Sequence, residues 1–332
     1  MHVIRMRRVD DTQADSGPIP LPAPAAVLPG PPSTPAGLFS RPRVEPGKLA
    51  PYRLRSPIMR APDLAVHVRH PGQSTPGVRL ALQLAARLRA HLEGLHVVPL
   101  PAAAFSVPEA VTLQVMESEQ RRRDAEAQAP WWRAELDARG LVGSWRVGEG
   151  ELAQVLCQGA AAADLLVMER PAEAEDAPLG FGATSRTVFA AGIPVLVVPA
   201  QTAVTETGRS VLVAWNGSRE AQRALRGALP LLAQAGQITV LDGSREQHPE
   251  GLAWLPPLAL PDWCERHQLH ARIEPFRPQG AIGPALLEAA VRLGADLIVL
   301  GAWGHSRITE MVLGGTTRAL FRDSTLPMLV AH

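Results

Sequence analysis

The stretch GAWGHSRITEMVLGGTT, residues 301–317, decides the fold of this chain. It follows the apolar run ADLIVL at 295–300, which predicts a buried strand, and it precedes a short helical pattern. Glycine lets backbone N–H groups approach a bound group without an intervening Cβ. N–H groups clustered before a helix, aided by the helix dipole, form an anion site. For Gly301 and Gly304 alone, a simple turn is the better explanation, but the whole strand–loop–helix pattern favours phosphate.

The glycines also carry a family resemblance. Gly301, Gly304 and Gly314 fall on the pattern G-x2-G-x9-G-(S/T), and the sequence resembles the ATP motif of the universal stress protein family. The flanking segments ADLIVLGAWGHSR at 295–307 and LPMLVAH at 326–332 are similar to that family as well. One position departs from the pattern, because Gly315 stands where the family has Ser or Thr.

The resemblance implies a set of nucleotide-binding residues. Backbone N–H groups would donate to phosphate from four glycines: Gly301, Gly304, Gly314 and Gly315. Thr316 and Thr317 would add donors at the start of the helix, and Asn216 would face the nucleoside where ATP-binding relatives have Asp. Asn216 has an equally weighted alternative role, since the sequence Asn-Gly-Ser at 216–218 is also typical of a helix cap. The implied cofactor is ATP, with or without Mg²⁺.

Composition narrows the classes of function. The 332 residues carry a formal net charge of +1, so no basic field attracts nucleic acid or an anionic membrane. Lys48 is the single lysine, and this excludes a phosphate loop of the GxxxxGK[ST] type, which needs a lysine. Cys157 and Cys264 are too few and too far apart for a disulfide framework, which favours a cytoplasmic protein. No apolar run reaches the roughly 18 residues of a membrane-spanning helix.

Residues 1–58 predict a disordered tail. They hold 12 of the 32 prolines and show neither helical nor strand periodicity, so they cannot bury enough apolar surface to offset the entropy of ordering. An alternative is that translation begins at Met59, directly before the first strand.

The remaining sequence contains a tandem repeat. ADLLV begins at Ala163 and ADLIV at Ala295, an offset of 132 residues (295 − 163). GATSRTVF and GGTTRALF begin at Gly182 and Gly314 with the same offset. We call residues 60–202 the first repeat and residues 209–332 the second repeat. Strands alternate with helices in both, which predicts parallel sheets with βαβ crossovers.

The family resemblance implies a more specific fold. Each repeat would be a doubly wound α/β domain with a five-stranded parallel sheet of order 3-2-1-4-5. The last strands, near 193–198 and 326–330, would pair inside one chain as a pseudo-dimer, with a homodimer as a further possibility. Within the repeats, we predict a long helix over residues 109–139 that is broken or kinked at Pro130, and a helix over residues 218–236.

The first repeat has lost most of the motif. At the common offset, Gly301 corresponds to Glu169 and Gly304 to Ala172, and only Gly182 remains. The intervening loop adds three acidic residues, Glu173, Glu175 and Asp176. These carboxylates would repel a triphosphate. We therefore expect the first repeat to be a degenerate copy.

Two other groups of residues suggest chemistry less strongly. Cys264, His267 and His270 have a spacing that could hold a metal, but no fourth ligand lies near them in sequence, so a helix end is the better interpretation. His305 and Ser306 are adjacent in the glycine loop and lack the G-x-S-x-G context of a catalytic serine.

Three functions are consistent with these features. The favoured hypothesis is an ATP-binding universal stress protein that acts in a cytoplasmic stress or energy-status response and is not an enzyme. The alternative is a nucleotide-independent interaction module of the same fold. A slow ATPase is the least favoured, because the loop offers no lysine, no paired acids for Mg²⁺ and no positioned base.

Overall fold

The computed structural model describes residues 61–99, 108–171, 182–244, 258–302 and 315–332, and gives side chains for 108–171 from residue 115 onward. The predicted disordered tail, 1–58, lies outside these ranges. Residues 59–332 form one compact unit.

The described part of the first repeat contains five strands and five helices. In chain order they are β1 (Asp63–His67), α1 (Pro76–Leu88), β2 (His91–Val98), α2 (Pro108–Glu126), α3 (Ala129–Asp137), β3 (Val142–Glu149), α4 (Leu152–Gly159), β4 (Leu165–Arg170), α5 (Ala183–Ala190) and β5 (Val195–Pro199).

The second repeat has the same alternation. Its elements are β6 (Ser210–Trp215), α6 (Arg219–Gly227), α7 (Leu229–Leu232), β7 (Gln237–Asp242), α8 (Leu260–Arg266), β8 (Ala271–Pro275), α9 (Ile282–Arg292), β9 (Leu297–Gly301), α10 (Gly315–Asp323) and β10 (Met328–Ala331).

All ten strands form one sheet, in the order β3-β2-β1-β4-β5-β10-β9-β6-β7-β8. Every strand pair within a repeat is parallel, and both repeats have the predicted order 3-2-1-4-5. The prediction of two doubly wound α/β domains is confirmed.

The two repeats meet at the centre of the sheet. β5 and β10 pair antiparallel, with Leu196 opposite Leu329 and Val197 opposite Met328. These four side chains are completely buried. The pairing that the sequence predicted for the last strands is therefore present within one chain, and it covers the apolar edge of each five-stranded half.

The sheet has a hydrophobic core on each face. One core holds the helices that follow β1 and β6, represented by Leu84 of α1 and Leu225 of α6. The other holds α4, α5, α9 and α10, represented by Leu156 and Leu320. Each core includes residues from both repeats, because the strands alternate their side chains between the two faces.

Prolines account for two interruptions of the helices. The break predicted at Pro130 is present, since α2 ends at Glu126 and α3 has a proline in its first turn. The prediction of one helix over 218–236 is wrong, because α6 ends at Gly227 and α7 starts again with Pro230 in its first turn. Proline has no N–H to continue the helical hydrogen bonds.

Among the described residues, no helix is long and apolar enough to cross a membrane.

Candidate functional site

The candidate site of the second repeat lies where β6 and β9 end. These strands are neighbours, with Ala214 opposite Leu300, so Asn216 and Gly301 lie at adjacent carboxyl ends. Ligands of doubly wound sheets bind in this kind of crevice, where the strand order reverses. The loop from 303 to 314, which includes Gly304 and Gly314, lies outside the described residues.

Gly301 has a packing reason to be glycine. A Cβ placed there would lie 2.8 Å from Cβ of Glu220 and nearer still to the backbone nitrogen of Ala221. The first turn of α6 thus lies directly over Gly301, and no side chain fits between them. Ala302, the next residue, belongs with Leu320 of α10 to the core on the opposite face. The missing side chain of Gly301 therefore makes room for α6, not for a group bound at α10.

The start of α10 is open. Gly315 is exposed, and a Cβ added to it would meet no atom of the described residues within 4 Å. The first N–H groups of any α-helix have no partner within the helix, so they can donate to an anion. Thr316 is half-buried and Thr317 is buried, which makes Gly315 and Thr316 the more accessible of the predicted donors.

A close contact with α9 fixes the position of this helix start. A Cβ on Gly283 would lie 2.7 Å from Cβ of Ala319 and 3.2 Å from the carbonyl oxygen of Thr316. Glycine therefore lets α9 and α10 approach until their backbones nearly touch. Sequence reasoning missed Gly283, because a single glycine in a helical pattern does not reveal which helix it faces.

Asn216 closes the turn before α6. Its Oδ1 accepts a hydrogen bond from the backbone N–H of Ser218 at 3.1 Å, and Ser218 in turn caps α6 by accepting from the N–H of Ala221. Gly217 between them has φ of 79°, a conformation that favours glycine. The capping role therefore has direct contacts, and because Asn216 is exposed, its side-chain amide N–H groups can still donate to a ligand.

The first repeat fills the corresponding place with its own carboxylate. Glu169, which corresponds to Gly301, accepts a hydrogen bond at Oε2 from the backbone N–H of Gly77 at 3.1 Å. Gly77 lies in the first turn of α1, and a Cβ there would be 3.3 Å from Cβ of Glu169. The helix–strand contact thus has its glycine on the helix in the first repeat and on the strand in the second.

A buried histidine lies at the end of β1 in the first repeat. His67 is only 7% exposed, and its Nδ1 has no hydrogen-bond partner among the described residues. Burial, assisted by the nearby charges of His96, Arg69 and His70, lowers the pKa of His67 to about 4. The imidazole is therefore neutral at pH 7.

Acid is expected to destabilise the fold through His67. Because its folded pKa lies below the unfolded value of 6.5, the unfolded chain binds more protons between these values, and stability falls as pH drops from 6.5 to about 4. The full loss is about 3 kcal/mol. Urea unfolding between pH 7.5 and 4.5 measures it, and His67→Leu should show a shallower pH dependence. Equal slopes in the two proteins would contradict the assignment.

Comparison with known proteins decides the family. Residues 65–199 and 208–332 each match the sequence profile of the Universal stress protein family. The chain belongs to the universal stress protein family. A curated relative, universal stress protein Slr1230 of Synechocystis sp., is 30% identical over 138 residues. That match covers 41% of this chain and 46% of the relative, about half of its length.

A solved structure shares the fold of this universal stress protein. The crystal structure of a universal stress protein from Archaeoglobus fulgidus is matched with a TM-score of 0.59 and 16% identity. The match covers 82% of this chain and 96% of the other. At that identity the likeness concerns the fold alone.

The structure of this universal stress protein brings together only part of the predicted site. Asn216 and Gly301 both border the first turn of α6, whereas Gly315, Thr316 and Thr317 form the start of α10. Gly77 was missed as the counterpart of Gly301, because the pairing of α1 with β4 becomes visible only in three dimensions.

The group of Cys264, His267 and His270 shows no metal-binding arrangement among the described residues. Cys264 is buried in α8, and His267 is the residue that caps the end of this helix. Burial raises the pKa of the Cys264 thiol. In the described ranges, no three His, Cys, Asp or Glu side chains are arranged to hold a metal. His305 and Ser306 lie outside those ranges.

Proposed function

We propose that this chain is a cytoplasmic ATP-binding regulator whose single nucleotide site lies in the second repeat. Membership of the universal stress protein family supports a role in stress response, and proteins of this family are generally regulatory. The finer role, sensing of energy status through bound ATP, rests on the contrast between the repeats. No residue of the chain is proposed to be catalytic.

The observation that carries this proposal is that the carboxylate of Glu169 in the first repeat has no counterpart in the second repeat. In the first repeat, the carboxylate of Glu169 already occupies the helix-start donor of Gly77. In the second repeat, the corresponding residue is Gly301, so the end of β9 carries no carboxylate, and the start of α10, a separate helix end, is exposed at Gly315. A phosphate at the first repeat would meet the fixed negative charge of Glu169, whereas a phosphate at the second repeat would meet no such charge at the equivalent position.

The residues of the second repeat suit ATP by their donor set. The start of α10 and the glycine loop would provide N–H groups to the phosphates, and the amide of Asn216 would provide a donor to the nucleoside. Bound Mg²⁺ would be coordinated largely by phosphate oxygens and water, as is usual for this ion. ATP would be the bound ligand, and its concentration reports the energy status of the cell.

A nucleotide-independent interaction module remains the second candidate. The observation that favours it is the hydrogen bond from the Ser218 N–H to Oδ1 of Asn216, since an acceptor used within the turn is less available to a nucleoside. Gly315 also removes the side-chain hydroxyl that the family places after the last motif glycine.

Calorimetric titration of the full chain with ATP tests the proposal. We expect one ATP per chain. Glu in place of Gly304 introduces a side chain and a negative charge beside the phosphates, and the loss of charge-assisted hydrogen bonds of about 1.5 to 3 kcal/mol each should weaken binding at least about tenfold.

The matched control is Ala172→Glu at the equivalent position of the first repeat, which should leave ATP affinity unchanged. Two ATP molecules per chain would contradict the single site. Undetectable binding at about millimolar ATP, which corresponds to only about 4 kcal/mol, would favour the interaction module.

A further inference from the structure

We infer that the first repeat positions the nucleotide site of the second repeat through two side chains, Arg170 and Phe189. This inference rests on the proposed function, because it assigns these residues a role in holding the two elements, β9 and α10, between which the glycine loop lies. Both come from the repeat that has lost the motif, and both reach across the β5–β10 junction.

Arg170 contacts the far end of α10. It is the last residue of β4, and its Nη2 donates to the carbonyl oxygen of Ser324, which directly follows α10, at 2.8 Å. The last carbonyl groups of a helix lack partners within the helix, and its carboxyl end attracts positive charge. Arg170 therefore satisfies and stabilises the end of the helix whose start offers donors to phosphate.

The contact is buried enough to be specific. Burial lowers the pKa of Arg170, whereas Asp323 acts in the opposite direction, and the guanidinium remains charged. Its Nη1 has no hydrogen-bond partner in the described part of the chain. Ser324 has two further hydrogen bonds, because its hydroxyl donates to the carbonyl oxygen of Leu326 at 2.9 Å and its N–H to that of Leu320 at 3.0 Å.

Phe189 supports Ala302, the residue that precedes the glycine loop, through His332. The ring of Phe189, on α5, stacks on the imidazole of His332 with centroids 4.4 Å apart. Nδ1 of His332 lies 3.2 Å from the carbonyl oxygen of Ala302 and can donate to it. The N–H of Ala302 donates to Ala331 at 2.9 Å, so both backbone groups of Ala302 are held where the chain leaves β9.

These contacts make Arg170 and Phe189 positioning residues. Neither lies at the predicted phosphate donors, yet Phe189 supports Ala302, which precedes the glycine loop, through His332, and Arg170 supports α10, which follows the loop, at its far end. Because backbone donors bind an anion well only when they are held in place, loosening either end should weaken nucleotide binding while the sheet stays intact.

The test compares single variants of the full chain. Arg170→Ala and Phe189→Ala should each weaken ATP binding about threefold to tenfold, as expected for the loss of one charged or aromatic contact. Arg170→Lys keeps the positive charge at the helix end and should retain most of the affinity. Arg146→Ala is the matched control, because this exposed arginine pairs with Glu93 inside the first repeat.

Amide hydrogen exchange gives a second readout that needs no ligand. Without nucleotide, α10 should exchange faster in Arg170→Ala than in the wild type, whereas β1 and β6 should be unchanged. Unaltered exchange of α10 in Arg170→Ala, and of Ala302 in Phe189→Ala, would overturn the inference. A wild-type chain that binds no ATP would overturn the proposed function instead, and the exchange comparison would still decide whether the first repeat holds α10.

Discussion

Asp in place of Leu329 is expected to unfold most of the chain at 25 °C. Leu329 has no exposed surface and pairs with Leu196 at the centre of the ten-stranded sheet. Loss of a buried leucine costs about 2 to 5 kcal/mol, and an unpaired buried carboxylate costs several more. The sum of at least about 5 kcal/mol is comparable with the whole stability of a typical domain.

Urea unfolding followed by circular dichroism, together with size-exclusion chromatography, measures this effect. Val197→Asp, on the opposing strand, should behave in the same way because Val197 is equally buried. Val291→Asp is the control, since that residue is 78% exposed on α9 and should change stability by about 0.5 kcal/mol or less. Unchanged stability and solution size in Leu329→Asp would contradict the pairing of the repeats.

A single methyl group at Gly301 should have the second largest effect. The Cβ of alanine would overlap the backbone of Glu220 and Ala221, so α6 would have to move away from β9. Such overpacking against the backbone of a helix should cost about 3 kcal/mol. Thermal unfolding of Gly301→Ala, without nucleotide, measures the loss.

Gly315→Ala provides a matched control for stability. It makes the same chemical change at an exposed position, where an added Cβ meets no described atom within 4 Å, and alanine is a better helix former than glycine. We therefore expect its stability to equal or slightly exceed that of the wild type. Equal stability of both variants would show that α6 does not press on Gly301.

The architecture could be predicted from the sequence because its signals are local or repeated. The strands are short apolar runs, Pro130 marks a helix break, and the 132-residue offset (295 − 163) relates Ala163 to Ala295. Pro230 was less decisive, because proline is tolerated in the first turn of a new helix and its neighbours keep the helical spacing.

The candidate site was less accessible from sequence, because its determinants are contacts between distant residues. Gly301 fits a phosphate motif in sequence, yet the reason that no side chain fits there is the contact with α6, some 80 residues earlier along the chain (301 − 221). The contact of Arg170 with Ser324 joins residues 154 positions apart. A pattern of residue types carries no information on which helix lies over which strand end.

Because both repeats belong to one chain and one continuous sheet, each molecule always pairs one first repeat with one second repeat. Separate domains would sort into like and unlike pairs according to their concentrations, whereas a covalent link holds each partner at an effective concentration of order mM. Every molecule therefore contains one repeat with Glu169 at its helix start and one with Gly301. A ligand taken up by the second repeat alone has no sister site within the pair, so its saturation curve should be a single hyperbola without cooperativity.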